Sequence, residues 1–547
     1  MKITAQRFWQ LLVLVAVLLN ATGLLSEILE PDGALYATIS KRMVLTGDWV
    51  NLYGNGSDWL DKPHMPFWLA AIGMKCFGIT AFGYKLPAFL CFLAGLWYTW
   101  KLAALLYDEQ TAWLTAVIYS TALHTLLANF DVRAEPYLTA FIIAATYYLY
   151  RHVREQRGLH LLLAAFFSAL AIMTKGIFVL LSIGGGFVIW WMLSAQWKEF
   201  IRLRWWIFLL LTLLLITPEL YCLYVQFDMH PEKLVFERTG VSGIHFFFWD
   251  SQFGRFFNSG PIKGQGDPSF FLHTTLWAFL PWSVFLYLAV VKLCRTKEPA
   301  NRHRWIIWGA AALSFLLFSL SSFQLPHYIV ILFPHFAMIT AAYLLQVKKQ
   351  STIKALGIIQ YILMGILVVL FTVLVLYPSL VHRPVLLLLP VAAVACLFFR
   401  KRGVMNLAGR GLVFAALLFV FMNLFFYPAL LHYQAGMEAG KWMKEKQPGA
   451  RPVMLQSVLY SFEFYAPGLV EYARSEDDLE RLAGKYHTLV VLVSAKLWPQ
   501  LRDSMPEVRP LQQLNQFHIS QLTGAFLNPE KRPDVLEKFI LVRIQKN

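Results

Sequence analysis

Long apolar stretches, separated by short polar connections, make up most of this chain. A stretch of roughly 15 to 25 apolar residues is long enough to cross the hydrocarbon core of a bilayer as a helix. The pattern predicts an all-α polytopic membrane protein. About thirteen membrane-spanning segments are expected, near 8–25, 82–106, 111–128, 136–151, 159–173, 176–193, 205–226, 270–293, 305–320, 325–345, 354–377, 383–399 and 411–431.

The composition supports this class. Of the 547 residues, 58% are hydrophobic and only 15% are charged, which is too apolar for a soluble globular protein. The formal net charge of +16 is spread over short clusters between the apolar segments. Such clusters indicate membrane topology, so no nucleic-acid partner is expected.

Basic residues are concentrated in alternate connections, which the positive-inside rule assigns to the cytoplasmic face. They are Lys2, Arg7, Arg151, Arg154, Arg157, Lys198, Arg202, Arg204, Lys292, Arg295, Lys297, Arg302, Arg304, Lys348, Lys349, Lys354, Arg400, Lys401, Arg402 and Arg410. An odd number of spans then places the C-terminus on the outer side. The long loops 26–81 and 227–269 are expected on that side too.

The chain changes character after the last apolar segment, so residues 1–432 are expected to form the membrane domain and residues 433–547 a second domain. In the second part, Pro452–Leu455 and His487–Val493 read as short buried strands. Ser475, followed by three acidic residues, is typical of a helix start. A small α/β domain outside the membrane is predicted.

Most of the side chains capable of chemistry fall on the predicted outer side. They are Glu30, Asp32, Asp61, Lys62, Arg133, Glu135, Lys175, Arg255, His327 and Tyr328. Charged groups at the edge of a membrane are costly to keep there, which favours a functional role. Because they share one side, they indicate a reaction centre at the outer surface, whereas a transporter usually has polar groups near the midplane.

The order of several short motifs carries a family resemblance. Asp32 precedes a Tyr-Ala pair, and Lys62-Pro63, Glu135-Pro136, Thr174-Lys175-Gly176, Trp249…Arg255-Phe256 and Leu325-Pro326-His327-Tyr328 follow in series. This series resembles membrane glycosyltransferases of the GT-C fold, and most closely the lipid A aminoarabinose transferases and protein O-mannosyltransferases. The match runs over roughly residues 8–345.

The resemblance implies an outward cavity, a bacterial cytoplasmic membrane, and a sugar donor linked to polyprenyl (undecaprenyl) phosphate. Asp32 takes the catalytic acidic position, and Lys62 takes that of a lysine engaging the donor phosphate. Asp61, Glu135, Arg133, Lys175, Arg255, His327 and Tyr328 are the other expected substrate-binding residues. The aminoarabinose transferases usually carry Asp-Glu-x-Arg where this chain has Asp32-Gly33-Ala34-Leu35. This departure leaves the sugar and the acceptor open.

The chemistry of such a transfer suits these residue types. A carboxylate such as Asp32 can take the proton of an acceptor hydroxyl, and cations such as Lys62 and Arg255 can hold the leaving phosphate. No nucleotide-binding motif is visible. The run Gly184-Gly185-Gly186 lies inside an apolar segment and predicts close helix packing instead.

Simpler structural roles stay open for several of these residues. Asp32 follows a proline and could start a helix, and Lys62 could extend toward lipid headgroups. Asp131, Arg133 and Glu135 could form a local salt-bridged cap, Lys175 could contact an ordinary anionic lipid, and His327 and Tyr328 could be interfacial anchors. No cofactor is fixed by the sequence. A divalent metal held by Glu30, Asp32 and His64 is one alternative, although their spacing fits no strong metal pattern.

Two classes of function therefore remain beside each other. The first is a transferase that moves a sugar from a polyprenyl-phosphate donor to an envelope acceptor, either lipid A or a related glycolipid, or alternatively a protein serine or threonine. The second is a flippase or transporter of lipid-linked sugars. Membrane lipids are expected partners of either.

Overall fold

The computed structural model describes residues 5–295, 302–505 and 507–545. Lys2 and Lys297, two of the residues behind the predicted orientation, lie outside the described residues. The N-terminal part is helical. Its helices are α1 (Ala5–Ala21), α2 (Asp32–Thr46), α3 (Met65–Phe77), α4 (Ala81–Leu106), α5 (Glu109–Thr121), α6 (Leu123–Phe130), α7 (Glu135–Glu155), α8 (Gly158–Lys175), α9 (Val179–Leu193), α10 (Leu203–Leu215), α11 (Thr217–Leu223), α12 (Gly243–His245), α13 (Phe270–Ala278), α14 (Ser283–Arg295), α15 (Trp305–Leu320), α16 (Phe333–Gln346), α17 (Gln350–Leu376), α18 (Leu388–Phe398), α19 (Val404–Phe421) and α20 (Tyr427–Leu431).

Within the described residues, seven helices are long and apolar enough to cross a membrane, or up to nine if each of two bent pairs is one span. The bent pairs are α5 with α6, at 56°, and α10 with the helix that continues to Asp228, at 40°. The seven are Ala5–Leu25, Ala81–Leu106, Gly158–Lys175, Arg302–Leu320, Pro326–Gln346, Gln350–Leu376 and Val404–Leu431.

Each of the thirteen predicted segments overlaps a helix, yet several do not pass as full spans. The predicted segment 270–293 is interrupted between α13 and α14, and α9 has only 15 residues. Helix α7 is long enough, but it is rich in Tyr and Thr and most of it is buried among its neighbours. Within the described residues, the helices therefore define fewer complete crossings than the apolar pattern predicts.

The glycine run in α9 does serve close packing, as predicted. A Cβ atom on Gly186 would overlap the backbone carbonyl of Ile306, and one on Gly185 would overlap Leu313. Both of those residues belong to the α15 region. The missing side chains thus allow the two helices to approach closely.

The segment between α1 and α4 is folded rather than extended. It contains α2, a short hairpin of β1 (Tyr53–Gly54) and β2 (Ser57–Asp58), and α3. Gln226, after α11, fixes the hairpin by donating to Leu52 O (2.7 Å) and Asp58 Oδ1 (2.9 Å). This places Asp61 and Lys62, which follow the hairpin, beside the later loops.

The C-terminal part forms a five-stranded sheet in the order β4-β3-β5-β7-β6, and this confirms the predicted α/β character. Strands β3, β4 and β5 are parallel, β7 pairs antiparallel with β5, and β6 pairs antiparallel with β7. Apolar clusters lie on both faces of the sheet, because alternate residues of β5 contribute to each. Its elements are β3 (Arg451–Leu455), β4 (Glu471–Ala473), β5 (Thr488–Ser494), β6 (Arg509–Gln516), β7 (Glu537–Gln545), α21 (Ala435–Lys446), α22 (Tyr460–Tyr465), α23 (Glu476–Lys485), α24 (Trp498–Ser504) and α25 (Gly524–Leu527).

The sheet domain is fastened to the segment that leads into α2. The Glu30 carboxylate accepts hydrogen bonds from Ser461 N (2.6 Å) and Gln516 Nε2 (3.4 Å). The buried Lys41 ammonium donates to the backbone carbonyls of Glu463 (2.8 Å) and Ala466 (2.6 Å). The C-terminal domain therefore packs against the same segment that carries Asp32.

Candidate active site

Three charged groups meet at the end of the β1–β2 segment. Asp61 Oδ2 lies 2.6 Å from Lys62 Nζ, and Asp61 Oδ1 accepts a hydrogen bond from the Arg255 guanidinium. Burial favours the neutral acid, but Lys62 and Arg255 outweigh burial and hold the pKa of Asp61 well below its usual value. Burial, together with the charges of Arg255 and Lys175, lowers the pKa of Lys62 to about 8 although Asp61 opposes this. The result is a partly desolvated cluster with two cations and one anion.

A second ion pair lies beside this cluster. Lys175 Nζ is 3.4 Å from Glu135 Oε1 and 4.0 Å from the centre of the Tyr328 ring. Lys175 is the last residue of α8, Glu135 the first of α7, and Tyr328 belongs to a 3-10 turn before α16. Helix ends from three separate places in the sequence thus bring their polar groups together.

The turn after Lys175 requires glycine. Gly176 ends α8 with φ +107° and ψ −177°, a conformation that side-chain-bearing residues rarely adopt. A Cβ atom there would overlap the Gln252 side chain. Gln252 in turn donates to Lys175 O (3.1 Å), so the glycine allows Gln252 to hold the end of α8 in place.

Asp32 lies on the other side of Glu135, in a network of its own. Its Oδ2 is 2.6 Å from Arg133 Nη1, and Arg133 Nη2 is 2.6 Å from Asp131 Oδ2. Arginine only donates, so His327 Nδ1, at 3.2 Å from Arg133 Nη1, accepts, and the ring proton sits on Nε2. That Nε2 faces Glu135 Oε1 at 3.7 Å. A polar chain therefore runs from Asp32 through Arg133 and His327 to Glu135.

The candidate phosphate-binding residues line one cavity. It is lined by Asp61, Lys62, Glu135, Lys175, Arg255 and Tyr328, while its walls are the apolar side chains of α9, α15 and the loop before α16. A neighbouring cavity is lined by Arg133, Glu135 and His327 among apolar residues. Glu135 lines both cavities. The arrangement can bind an anionic group next to a long apolar chain.

The structure brings all the predicted site residues into these two connected groups. Asp61, Lys62, Lys175, Arg255 and Tyr328 form the first. Asp32, Arg133 and His327 form the second, with Glu135 between the two. Asp32 itself does not line the first cavity and reaches it only through the polar chain.

The contacts of Asp32, Arg133 and Lys62 differ from those that the simpler structural roles require. Asp32 occupies the first turn of α2 without any side-chain capping bond at its N-terminus, and its carboxylate pairs with Arg133 instead. The local pair of Arg133 with Asp131 that the sequence allowed does form, but Arg133 extends it to Asp32. Lys62 is mostly buried and pairs with Asp61 rather than extending toward lipid.

The three residues considered for a metal site do not come together. Glu30 binds the sheet domain, as described above. His64 is fully buried, with Nδ1 2.9 Å from Glu219 Oε1 and Nε2 2.8 Å from Val50 O. Across residues 5–295, 302–505 and 507–545, no group of three or more His, Cys, Asp or Glu side chains is placed to hold a metal ion.

Two further residues belong to the site. Tyr36, on α2, is buried, and burial followed by the charges of Glu135, Asp61 and Asp32 raises its pKa well above the usual value, so its hydroxyl remains a neutral donor. The Phe323 ring lies 5.5 Å below the Arg255 guanidinium. In the sequence, only the Tyr-Ala pair of the motif series indicates a role for Tyr36. Nothing in the sequence distinguishes Phe323 from other apolar residues.

The chain is similar to several known proteins. Residues 61–222 match the family described as dolichyl-phosphate-mannose-protein mannosyltransferase. An undecaprenyl phosphate-alpha-4-amino-4-deoxy-L-arabinose arabinosyl transferase of Pseudomonas aeruginosa is 26% identical over 309 residues, covering 55% of this chain and 52% of the relative. The corresponding protein of Erwinia tasmaniensis is 26% identical over 364 residues, covering 65% of this chain and 63% of the relative. The match thus spans between half and two thirds of the length of these relatives.

The fold is shared over nearly the whole chain. The crystal structure of ArnT from Cupriavidus metallidurans bound to undecaprenyl phosphate superposes with a TM-score of 0.74 at 18% identity, covering 98% of both chains. Its apo form gives a TM-score of 0.73. Together, the family match, the relatives and the shared fold confirm the resemblance to membrane glycosyltransferases of the GT-C fold.

Proposed function

We propose that the protein is an integral membrane glycosyltransferase that moves a sugar from a polyprenyl-phosphate donor to a lipid acceptor of the bacterial envelope, with lipid A as the leading candidate. Support comes from the relatives named for arabinosyl transfer from undecaprenyl phosphate and from the shared fold. The observation that carries the proposal is the convergence of Lys62, Arg255 and Lys175 on one apolar-walled cavity.

The three cations suit the leaving group of this reaction. When the bond between the anomeric carbon and the phosphate oxygen breaks, negative charge develops on the departing polyprenyl phosphate. Preorganised cations in a partly dry cavity stabilise that charge far more strongly than they would in water. The apolar walls suit the polyprenyl chain.

In this proposal Asp32 acts on the acceptor, beside Arg133, which lines the neighbouring cavity. An acceptor hydroxyl forms the new bond to the anomeric carbon and passes its proton to the Asp32 carboxylate. An acceptor phosphate is already anionic and needs no proton removal. In that case Arg133, which pairs with Asp32 and lines the neighbouring cavity, would bind and orient the phosphate.

The proposal includes a defined placement in the membrane. We assign thirteen crossings of the inner membrane, a membrane domain of residues 1–432, and a periplasmic domain of residues 433–547. The basic connections support this orientation. The bonds of Glu30 and Lys41 to the sheet domain support placing that domain on the side of the site.

Mass spectrometry of the envelope of a deletion strain tests the acceptor. Loss of a sugar substituent from lipid A or another glycolipid, restored by the wild-type gene and not by a Lys62→Ala variant, is the expected result. Loss of sugar from envelope proteins alone would favour a serine or threonine acceptor. Unchanged lipids and proteins would contradict the assignment.

A further inference from the structure

A separate cavity lies where the sheet domain meets the helical part, away from the site described above. Lys41, Glu27, Ile79, Lys441, Lys444 and Phe464 line this junction cavity, which encloses about 310 Å³. That volume is at the small end of the range of roughly 300–1,000 Å³ found for ligand pockets. Nothing in the proposed transfer reaction uses it.

The junction cavity lies beside the ends of two candidate membrane spans. Glu27 follows the end of the candidate span Ala5–Leu25 by two residues, and Ala81, which also lines the cavity, is the first residue of the span Ala81–Leu106. Near this edge, the rings of Phe77 and Phe82 are exposed and contact each other with centroids 6.0 Å apart. Exposed apolar rings at the end of a span are suited to contact with acyl chains.

The polar side of the junction cavity is positively charged. Lys441 and Lys444 are three residues apart on α21 and therefore share one face of that helix. Lys441 pairs with Glu27 at 2.5 Å, whereas Lys444 makes no ion pair among the residues that the structure describes. Lys41 lines the cavity as well, but its ammonium is bonded to the backbone carbonyls of Glu463, Phe464 and Ala466. Burial lowers the pKa of Lys41 to about 7 against the opposing charge of Glu463, and Lys444 lowers it further.

The lower side of the junction cavity is apolar. Leu45, which is 43% exposed, lies there with Ile79 and Ala81. A lipid whose phosphate is bound by the lysines would therefore have its acyl chains along the start of α4. This combination of a basic pocket above an apolar edge, at the end of two spans, fits a phospholipid headgroup better than it fits a soluble anion.

We propose that the junction cavity binds the phosphate of an anionic phospholipid from the leaflet that the active site faces. Lys441 and Lys444 contact the phosphate, and Leu45 and Ile79 contact the upper part of the acyl chains. The lipid would then bridge α2, through Leu45, and α21 of the sheet domain. The proposal depends on neither the donor nor the acceptor of the transfer reaction.

Native mass spectrometry of the full-length protein in detergent tests this site. Phosphatidylglycerol is titrated onto the wild type, onto the double variant Lys441→Gln/Lys444→Gln, and onto a control pair, Lys496→Gln/Lys538→Gln, which removes two exposed lysines elsewhere on the sheet domain. Each lysine near a lipid surface contributes enough for the junction variant to bind at least about tenfold more weakly. The control pair should bind within about twofold of the wild type.

Two further titrations distinguish binding of a lipid phosphate from binding of a soluble phosphate ion. Phosphatidylcholine with the same acyl chains should bind more weakly than phosphatidylglycerol, and inorganic phosphate at the same concentration should not displace the lipid. Equal binding of phosphatidylglycerol by both double variants, or equal binding of the two lipids by the wild type, would overturn the proposal. Full displacement by inorganic phosphate would overturn it too, since the site would then bind a soluble anion.

A single variant tests the site even if the double variant fails to fold. Lys444→Gln removes no ion pair of the described structure, so its thermal unfolding should match that of the wild type. It should weaken phosphatidylglycerol binding about threefold. An unchanged affinity in a normally folded Lys444→Gln protein would count against the site even if the double variant is unstable.

Discussion

Individual charges in the active site are held by partners of opposite sign. Asp61 lies between Lys62 and Arg255, while Glu135 pairs with Lys175 and faces the neutral His327 ring. Without substrate, Lys62 and Arg255 thus share one carboxylate and Lys175 has another, in a partly buried place where an unpaired charge would be costly. An incoming phosphate would compete with these carboxylates for the cations.

Lys62 and Arg255, which we call the phosphate clamp, give the first prediction. Lys62→Ala and Arg255→Ala should each lower the turnover rate on the order of a hundredfold, because each removes a cation that acts mainly on the leaving phosphate. Lys263→Ala, which changes an exposed lysine of the loop that carries Arg255, is the control and should turn over normally. Steady-state rates with saturating acceptor make the comparison. Normal rates in both clamp variants would remove the clamp from the mechanism.

The second prediction concerns pH. The pKa of Lys62 is about 8, below that of a free lysine, so its ammonium loses charge as the pH rises through that value. The dissociation constant of the donor should therefore increase above pH 8, by up to about tenfold per pH unit. In Lys62→Arg the charge persists, because arginine stays protonated, and the alkaline dependence should flatten. A Lys62→Arg profile as steep as that of the wild type would contradict this role.

Asp32→Asn distinguishes the two kinds of acceptor and gives the third prediction. For a hydroxyl acceptor, the variant should lose most activity, keep its donor affinity, and recover partly at high pH. For a phosphate acceptor, any loss should be nearly independent of pH. Arg133 should stay in place in either case, since Asp131 also holds it. Activity equal to the wild type at every pH would exclude Asp32 from catalysis, and Asp267→Asn in an exposed loop serves as the control.

Helix ends, rather than helix interiors, build the site. Asp32 is the first residue of α2, Glu135 the first of α7 and Lys175 the last of α8. Because the helices begin or end at these points, there is room for substrate between them, and their terminal charged groups lie at the membrane edge. The rigid helices behind them fix the positions of the groups.

Gly176 supplies the prediction at this scale. Gly176→Ala should destabilise the protein by on the order of 1–3 kcal/mol, because its backbone conformation is strained for alanine. It should also lower turnover, since the new methyl group displaces Gln252 from the end of α8. Gly184→Ala is the matched control, because a Cβ atom there meets nothing within 4 Å. Thermal unfolding and turnover measure the two effects, and equal behaviour of both variants would contradict the role of this turn.

Elements with a strong local pattern could be predicted from the sequence. The strands at Pro452–Leu455 and His487–Val493 are confirmed by β3 and β5, because continuous apolar runs mark buried strands. The helix start at Ser475 is confirmed by its side chain, which accepts from Asp478 N at 3.2 Å. Strand β6 was missed, since its polar residues give no such pattern.

The site residues were predictable for a different reason. Asp32 and Lys62 stood out as charges near an apolar segment, and Arg255 through its place in the motif series. Nothing local showed that Glu135 would divide these residues into two groups. Glu30 looked like a companion of Asp32 and instead binds Ser461, more than 400 residues away in the chain. Long-range packing decides such partners, and a single sequence does not reveal it.

At the scale of the whole molecule, the sheet domain and the helical part act as one unit around the site. Their junction contains the buried bonds of Glu30 and Lys41 and the pair of Tyr465 with Glu27, at 2.7 Å. Buried polar groups that are fully hydrogen-bonded fix one relative arrangement. The domain thereby supports the first turn of α2.

Topology provides the prediction for the whole chain. A reporter that is active only outside the cytoplasm should work when fused after residue 432 and fail when fused near residue 350. The reason is the excess of lysine and arginine in the connections on one side. The opposite pattern would place the active site in the cytoplasm and contradict the proposed donor side.

The most direct test of the account is turnover by the purified protein in detergent. Given a polyprenyl-phosphate sugar and lipid A, the wild type should release polyprenyl phosphate and form glycosylated lipid in equal amounts, and Lys62→Ala should do so about a hundredfold more slowly. A flippase changes no covalent bond and needs a sealed bilayer. Intact donor after incubation with folded wild-type protein and a range of envelope acceptors would contradict the assignment as a transferase.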